Sequence, residues 1–179
     1  FNDMTFATWQ DTCYIATGSN PLLEFDGTTV TENATAPQGK FVISHENRIF
    51  ISGDSSYPNR IYYSELADPD DWTGTDTILN HLTLPSEDGD YVRALVKQFN
   101  YLVLLKRNSI YGLFGQDPMN FELRELQNSI GTASRRSVAV SRGLIFFLAK
   151  DGVYSFDGSN VQLLSVPVEP TIFSVNNMA

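Results

Sequence analysis

Residues 143–158 read Gly-Leu-Ile-Phe-Phe-Leu-Ala-Lys-Asp-Gly-Val-Tyr-Ser-Phe-Asp-Gly, and this stretch constrains the fold more than any other. Leu144 to Leu148 is an apolar run of strand length, Lys150-Asp151-Gly152 supplies a tight turn, and Val153 to Phe156 returns as a second strand. Asp157-Gly158 offers a second turn into Asn160 to Leu164. Three consecutive antiparallel strands are thus written into roughly 22 residues.

The same text recurs upstream. Leu22 to Phe25, Asp26-Gly27 and Thr28 to Glu32 match the Val153 to Leu164 stretch piece for piece, and Met4 to Trp9 and Thr12 to Thr17 precede them as two more strands. A second unit runs through Phe41 to Ser44, Arg48 to Ser52, Arg60 to Leu66 and Thr77 to Leu84. Its acidic insert Ala67 to Gly74 is expected to hold one helical turn opened by Pro69 and capped by Asp68. A third runs through Val92 to Gln98, Tyr101 to Leu105, Ser109 to Phe114 and Phe121 to Leu126. The fourth opens near Gly131, with Ser137 to Val140 as its first strand.

The second strands of the four units begin near Cys13, Arg48, Tyr101 and Gly143, so the spacing varies while the strand pattern does not. Four strands in roughly 40 to 45 residues is the arithmetic of propeller blades. The expectation is an all-β, β-propeller-like chain of about four blades of antiparallel four-stranded sheet, at residues 4–33, 40–84, 91–127 and 131–165. A β-sandwich is the competing architecture, but it does not require its segments to resemble one another. Residues 166–179, with Pro170 at a helix start, read as a connector to a further blade. Four blades lie at the small end of the propeller range, so the chain is expected to be a fragment or subdomain of a larger propeller.

Hydrophobic residues make up 42% of the 179 and charged ones 18%, which fits a globular chain and excludes disorder. No apolar run approaches the length of a membrane-crossing helix, so no membrane partner is expected. The lone cysteine, Cys13, closes no internal disulfide and is expected to be buried and inert. The net charge of −9 is unevenly spread. Residues 1–91 carry 15 acids and 3 bases, whereas residues 92–179 carry 6 acids and 9 bases. No Lys or Arg occurs between Arg60 and Arg93. Stable binding of the acidic half to the outside of a nucleic acid is not expected, because phosphate affinity comes from counterions released by Lys and Arg.

Signals of catalysis are poor. His45 and His81 stand in different stretches with no ligand spacing around them, and no nucleophile elbow, phosphate-cradling loop or dinucleotide fingerprint occurs. No catalytic, cofactor-binding or metal-binding residue is assigned. Glu87-Asp88-Gly89-Asp90 lacks the spacing of a defined calcium loop, and Asn33-Ala34-Thr35 fits a glycosylation triplet that chance often produces. Trp72, flanked by Asp70, Asp71 and Thr73, is expected to plug the core beneath a polar insert. Arg135 and Arg136, with Arg142 nearby, form the one basic cluster that stands out. Exposed at a blade end, they suit the acidic surface around Asp68, Asp70 and Asp71 of another copy, which predicts head-to-tail self-association into a ring.

Four phrases stand out: Arg60-Ile-Tyr-Tyr-Ser-Glu-Leu-Ala-Asp-Pro-Asp-Asp-Trp72, Tyr101-Leu-Val-Leu-Leu-Lys-Arg-Asn-Ser-Ile-Tyr111, Ser129-Ile-Gly-Thr132, and Gly143 to Tyr154 with Phe156-Asp-Gly158. They resemble phrases of propeller-containing tail proteins of double-stranded DNA bacteriophages, of the tail-hub and tail-nozzle kind. Together they span about residues 60 to 165. The resemblance implies a non-enzymatic virion tail component, assembled in the bacterial host cytoplasm into a ring around the DNA exit channel. Its implied partners are further copies of itself and other tail or portal proteins, with double-stranded DNA passing through without stable binding. An acidic wall formed by Glu65, Asp76, Glu87, Asp88 and Asp90 would repel phosphate and let DNA slide.

Two other readings carry weight. A carbohydrate-binding or carbohydrate-cleaving propeller would need paired acids and an aromatic platform, for which Glu65, Asp68 and Trp72 are the best candidates. A cellular protein-interaction propeller is the third.

Overall fold

Sixteen strands form four separate antiparallel sheets, each from four strands consecutive in sequence, in a computed structural model that describes residues 4–74, 80–85 and 89–166. The first sheet is β1 (Thr5–Trp9), β2 (Thr12–Ala16), β3 (Leu22–Phe25) and β4 (Val30–Asn33). The second is β5 (Phe41–His45), β6 (Arg48–Ser52), β7 (Arg60–Tyr63) and β8 (His81–Thr83). The third is β9 (Ala94–Gln98), β10 (Tyr101–Leu105), β11 (Ser109–Phe114) and β12 (Glu122–Asn128). The fourth is β13 (Ala139–Ser141), β14 (Leu144–Leu148), β15 (Val153–Phe156) and β16 (Val161–Leu163). These are the blades of a β-propeller-like fold; a sandwich would gather its strands into two layers instead.

The first hairpin of every blade closes on two residues, and each of these turns holds left-handed backbone. Gln10 has φ 49°, Glu46 and Asn47 have 45° and 54°, Phe99 has 51°, and Arg142 and Gly143 have 53° and 77°. Such turns match the right-handed twist of the strands they join, which is why they recur at this position.

The expected strands shift where side chains compete for the backbone. Asp26 accepts from the N–H groups of Thr28 and Thr29, so β4 starts at Val30 rather than Thr28. The third strand of the second blade ends at Tyr63, well short of Leu66, as Ala67 turns with φ 57°. Ser137 belongs to a single 3-10 turn, Arg135–Ser137, capped by the Ser134 hydroxyl, and β13 begins at Ala139. The helical turn expected at Pro69 does not form. Asp68 Oδ1 instead accepts from Asp70 N at 3.2 Å, and Glu65 and Asp68 make an isolated bridge. Residues 77–79 of the expected Thr77 to Leu84 strand and the expected connector beyond 166 lie outside the described residues.

The chain divides into two compact units, residues 1–95 and 96–179, with the boundary inside β9. Within the first unit, one face of the first sheet meets the second sheet. Ala7, Tyr14, Ala16 and Leu22 pack with Val42, Ile49, Ile51 and Tyr62, and Trp9 borders them. Register puts Phe6, Ile15 and Leu23 together on the opposite face of the first sheet, beside Thr8, Cys13, Phe25 and Val30. Cys13 is therefore half-buried on the outward side, not sealed in the core as its apolar neighbours in sequence imply. Within the second unit, Gln98 Nε2 donates to Gly143 O at 2.7 Å and ties the third sheet to the fourth.

Candidate functional site

The acidic segment 65–74 is built by its own carboxylates and by one tryptophan. Asp71 Oδ1 accepts from the Thr73 hydroxyl at 2.7 Å and from the Thr73 N–H at 2.8 Å, bonds that hold its carboxyl below the ordinary value of 3.8. Glu65 N donates to Asp71 O at 2.8 Å and Ala67 N to Asn47 O at 2.8 Å, so the loop closes on itself and on the β5–β6 turn. Trp72 is 0% exposed and enters the core between the first two sheets. Burying so large an aromatic fixes an otherwise polar excursion in place.

Asn33, at the end of β4, is the second anchor. Its amide donates to Glu24 Oε1 at 2.8 Å, Asp70 Oδ1 at 3.1 Å and Pro69 O at 3.3 Å. Its carbonyl oxygen accepts from the Thr35 hydroxyl at 2.7 Å, and that hydroxyl also donates to Asp70 O at 2.7 Å. The amide nitrogen of the glycosylation triplet is thus committed to the fold. Burial raises the Glu24 carboxyl above its usual 4.5, opposed by the Asn33 amide and reinforced by Asp70. Tyr14, beneath this group, is pushed up to about 12 by burial and by the neighbouring Glu24 and Asp70 charges. The cluster is not legible in the sequence, because its members come from four separate stretches and the one motif among them, Asn33-Ala34-Thr35, points to a different chemistry.

The expected site residues do not share one environment. Asp68 and Asp70 are exposed and Asp71 is half-buried, so the insert presents an acidic edge even though Asp70 is also tied to Asn33. Glu65 is half-exposed, 3.5 Å from the Arg48 guanidinium, and accepts from Asn80 Nδ2 at 2.6 Å. Asp90 departs from expectation: it is 7% exposed, accepts from Tyr91 N at 2.8 Å and lies 3.9 Å from Arg93. An inward carboxylate beside a guanidinium adds nothing to an acidic wall. Asp76, Glu87 and Asp88 lie outside the described residues.

Arg135, Arg136 and Arg142 are all exposed, but the structure does not bring the three together. Arg135 and Arg136 lie in the 3-10 turn at the Leu148 end of the fourth sheet, where Ser137 Oγ accepts from Leu148 N. Arg142 lies in the turn at the other end of β13. Adjacency in sequence here runs along a strand and separates charges that a helix would have grouped.

The histidines also remain apart. His45 is buried against Phe50 at 6.1 Å between ring centroids, and His81 packs on Tyr62 at 5.8 Å. Among the described residues no three metal-ligating side chains come together, and no helix is long and apolar enough to cross a membrane. Trp72 is sealed in the core and offers no platform for a sugar ring, which removes the aromatic expected beside Glu65 and Asp68.

No family model matches the chain. No curated protein matches it. Solved structures do. The extracellular domain of a putative hybrid two-component system from B. thetaiotaomicron aligns with a TM-score of 0.61 at 15% identity, over 90% of this chain and 22% of that one. The computationally designed Ika8 protein aligns with a TM-score of 0.56 at 15% identity, over 90% of this chain and 48% of that one. BBS1N, solved in complex with ARL6DN, aligns with a TM-score of 0.54 at 16% identity, over 86% of this chain and 49% of that one. This chain therefore spans half or less of these three structures. At such identities the likeness bears on the fold alone, and the fold is β-propeller-like.

Proposed function

We propose that this chain is a non-enzymatic structural component of a tailed-phage virion, of the tail-hub or tail-nozzle kind, assembling as a ring around the DNA exit channel. The observation that carries this reading is the split in charge, 15 acids against 3 bases in residues 1–91 and 6 against 9 in residues 92–179, joined to the tail-protein phrases between residues 60 and 165. An acidic edge at Asp68 and Asp70 repels the phosphate backbone and keeps passing DNA from adhering. The anchors beneath it, Trp72 and Asn33, serve shape and charge instead of bond making. The virion tail is the corresponding location, and neighbouring tail or portal proteins are the corresponding partners.

The test combines particle mass with DNA binding. Light scattering should give a closed oligomer, negative-stain images should show rings, and a gel shift at low salt should show no retained double-stranded DNA. A strictly monomeric protein defeats the ring. Firm DNA retention defeats the non-adhesive channel. Arg135→Glu with Arg136→Glu should weaken assembly if these arginines face the acidic edge of the next copy, and unchanged assembly removes them from the interface.

A further inference from the structure

The faces of the first and fourth sheets differ in a way that fits one copy of the chain to another. In the first sheet, β1 and β2 turn Ala7, Tyr14 and Ala16 toward the second sheet, and these are buried. The opposite face carries Phe6, Cys13, Ile15, Leu23, Phe25 and Val30, with exposed Thr8 and Glu32 at its edges. Phe6 is 60% exposed and Val30 55%, with Phe25 exposed between them. An apolar patch of this extent left to water, edged by polar side chains, is a contact surface awaiting an occupant.

The fourth sheet is open on its other side. Each first hairpin closes on two residues, so Leu144 stands where Thr12 does, Phe146 where Tyr14 does and Leu148 where Ala16 does. In this sheet the face equivalent to Cys13 and Ile15 is the buried one: Ile145, Phe147, Tyr154 and Phe156. The face equivalent to Tyr14 carries buried Ser155 at its centre, half-buried Phe146 and Leu148, and exposed Ala139 and Gln162. The first sheet thus leaves its back uncovered and the fourth sheet its front. Within the first unit, a front is covered by a back where the first sheet meets the second.

We propose that the open back of the first blade is covered by the open front of the fourth blade of a second copy of this chain. The contact is head to tail, so it propagates from copy to copy and closes into a ring when the rotation permits. Charge favours it, because residues 1–91 carry a net −12 and residues 92–179 a net +3. This deepens the self-association proposed above and is independent of the virion role.

Cys13 is a reporter already in place, since it is the sole cysteine and lies on the open back. In an Ala139→Cys variant, a short bismaleimide should link Cys13 of one copy to the new thiol of the next and give a ladder of multimers on a denaturing gel. Phe6→Asp with Phe25→Asp should shift the oligomer to monomer with an unchanged circular dichroism spectrum, whereas Met119→Asp, at a 94% exposed position, should leave its mass unaltered. A crosslink confined to one chain, identified by peptide mass at monomer size, overturns the proposal. So does an oligomer that forms no crosslink and tolerates both aspartates, although the ring would then stand on another surface. A monomeric wild-type protein sinks both readings. Crosslinked multimers that retain DNA support the contact and sink the channel alone.

Discussion

In the first sheet Asp26 and Gly27 turn the chain from β3 to β4, and in the fourth Asp157 and Gly158 turn it from β15 to β16. Asp26 Oδ1 accepts from Thr28 N at 2.8 Å and Thr29 N at 2.7 Å; Asp157 Oδ1 accepts from Ser159 N at 2.8 Å and Asn160 N at 2.7 Å. Both glycines are left-handed, with φ 94° and 105°. Their surroundings differ. A methyl group added at Gly27 meets nothing within 4 Å, whereas one at Gly158 comes within 2.7 Å of the Tyr101 hydroxyl. Local chemistry makes the turn, and the neighbouring sheet decides how much change the turn tolerates.

The largest effect should come from a residue that only one of the two regions has. Trp72→Ala empties the core beside the first sheet and should cost about 3–5 kcal/mol in urea unfolding, with Trp9 as the remaining fluorescent probe. A loss below 1 kcal/mol would mean that the insert is not what holds that core.

Next come the two glycines themselves. Gly27→Ala should cost about 1–2 kcal/mol from left-handed strain. Gly158→Ala should cost more, because the Tyr101 hydroxyl must also give way, and Tyr101→Phe in that background should recover the excess. Equal losses at the two positions would collapse the distinction between the turns.

The aspartates should behave alike. Hydrogen bonds from Thr29 and Thr28 hold Asp26, and those from Asn160 and Ser159 hold Asp157, below the ordinary value of 3.8. A depressed carboxyl stabilises the fold above its unfolded value, and the gain is lost as pH falls through the folded value. Asp26→Asn with Asp157→Asn should therefore flatten the acid side of the melting-temperature profile. A steeper fall would show that these are not the groups responsible.

The smallest effect concerns Glu24, one residue before the Phe25-Asp26 step. Its carboxyl is raised, so its contribution is present at low pH and fades as pH rises through the folded value. Glu24→Gln should melt slightly higher than the native chain at pH 7 and equally at pH 4. A decrease at pH 7 would show that the charge is wanted there.

Sequence reading recovers what short-range chemistry controls. The Asp-Gly turns, the two-residue hairpins and the apolar strands are all settled by neighbours in the chain, and so the four sheets were legible. Trp72 was legible as a plug because a tryptophan among aspartates has few other uses. Asp90 was not, since nothing in the acidic run around it marks one carboxylate as the buried one beside Arg93. Pro69 misled for a similar reason: Asp68 served an Asx turn and a bridge to Glu65 in place of a helix cap. The Glu24, Asn33 and Asp70 contacts arise only after two blades have packed.

That every sheet consists of four successive strands has a kinetic corollary. No strand waits for a partner made much later, so contact order is low for an all-β protein, and each blade has its hydrogen-bonding complement as soon as its last strand clears the ribosome. Assembly of the chain then becomes the stacking of finished pieces, in which a defect in one hairpin delays one blade and spares the pairing of the rest.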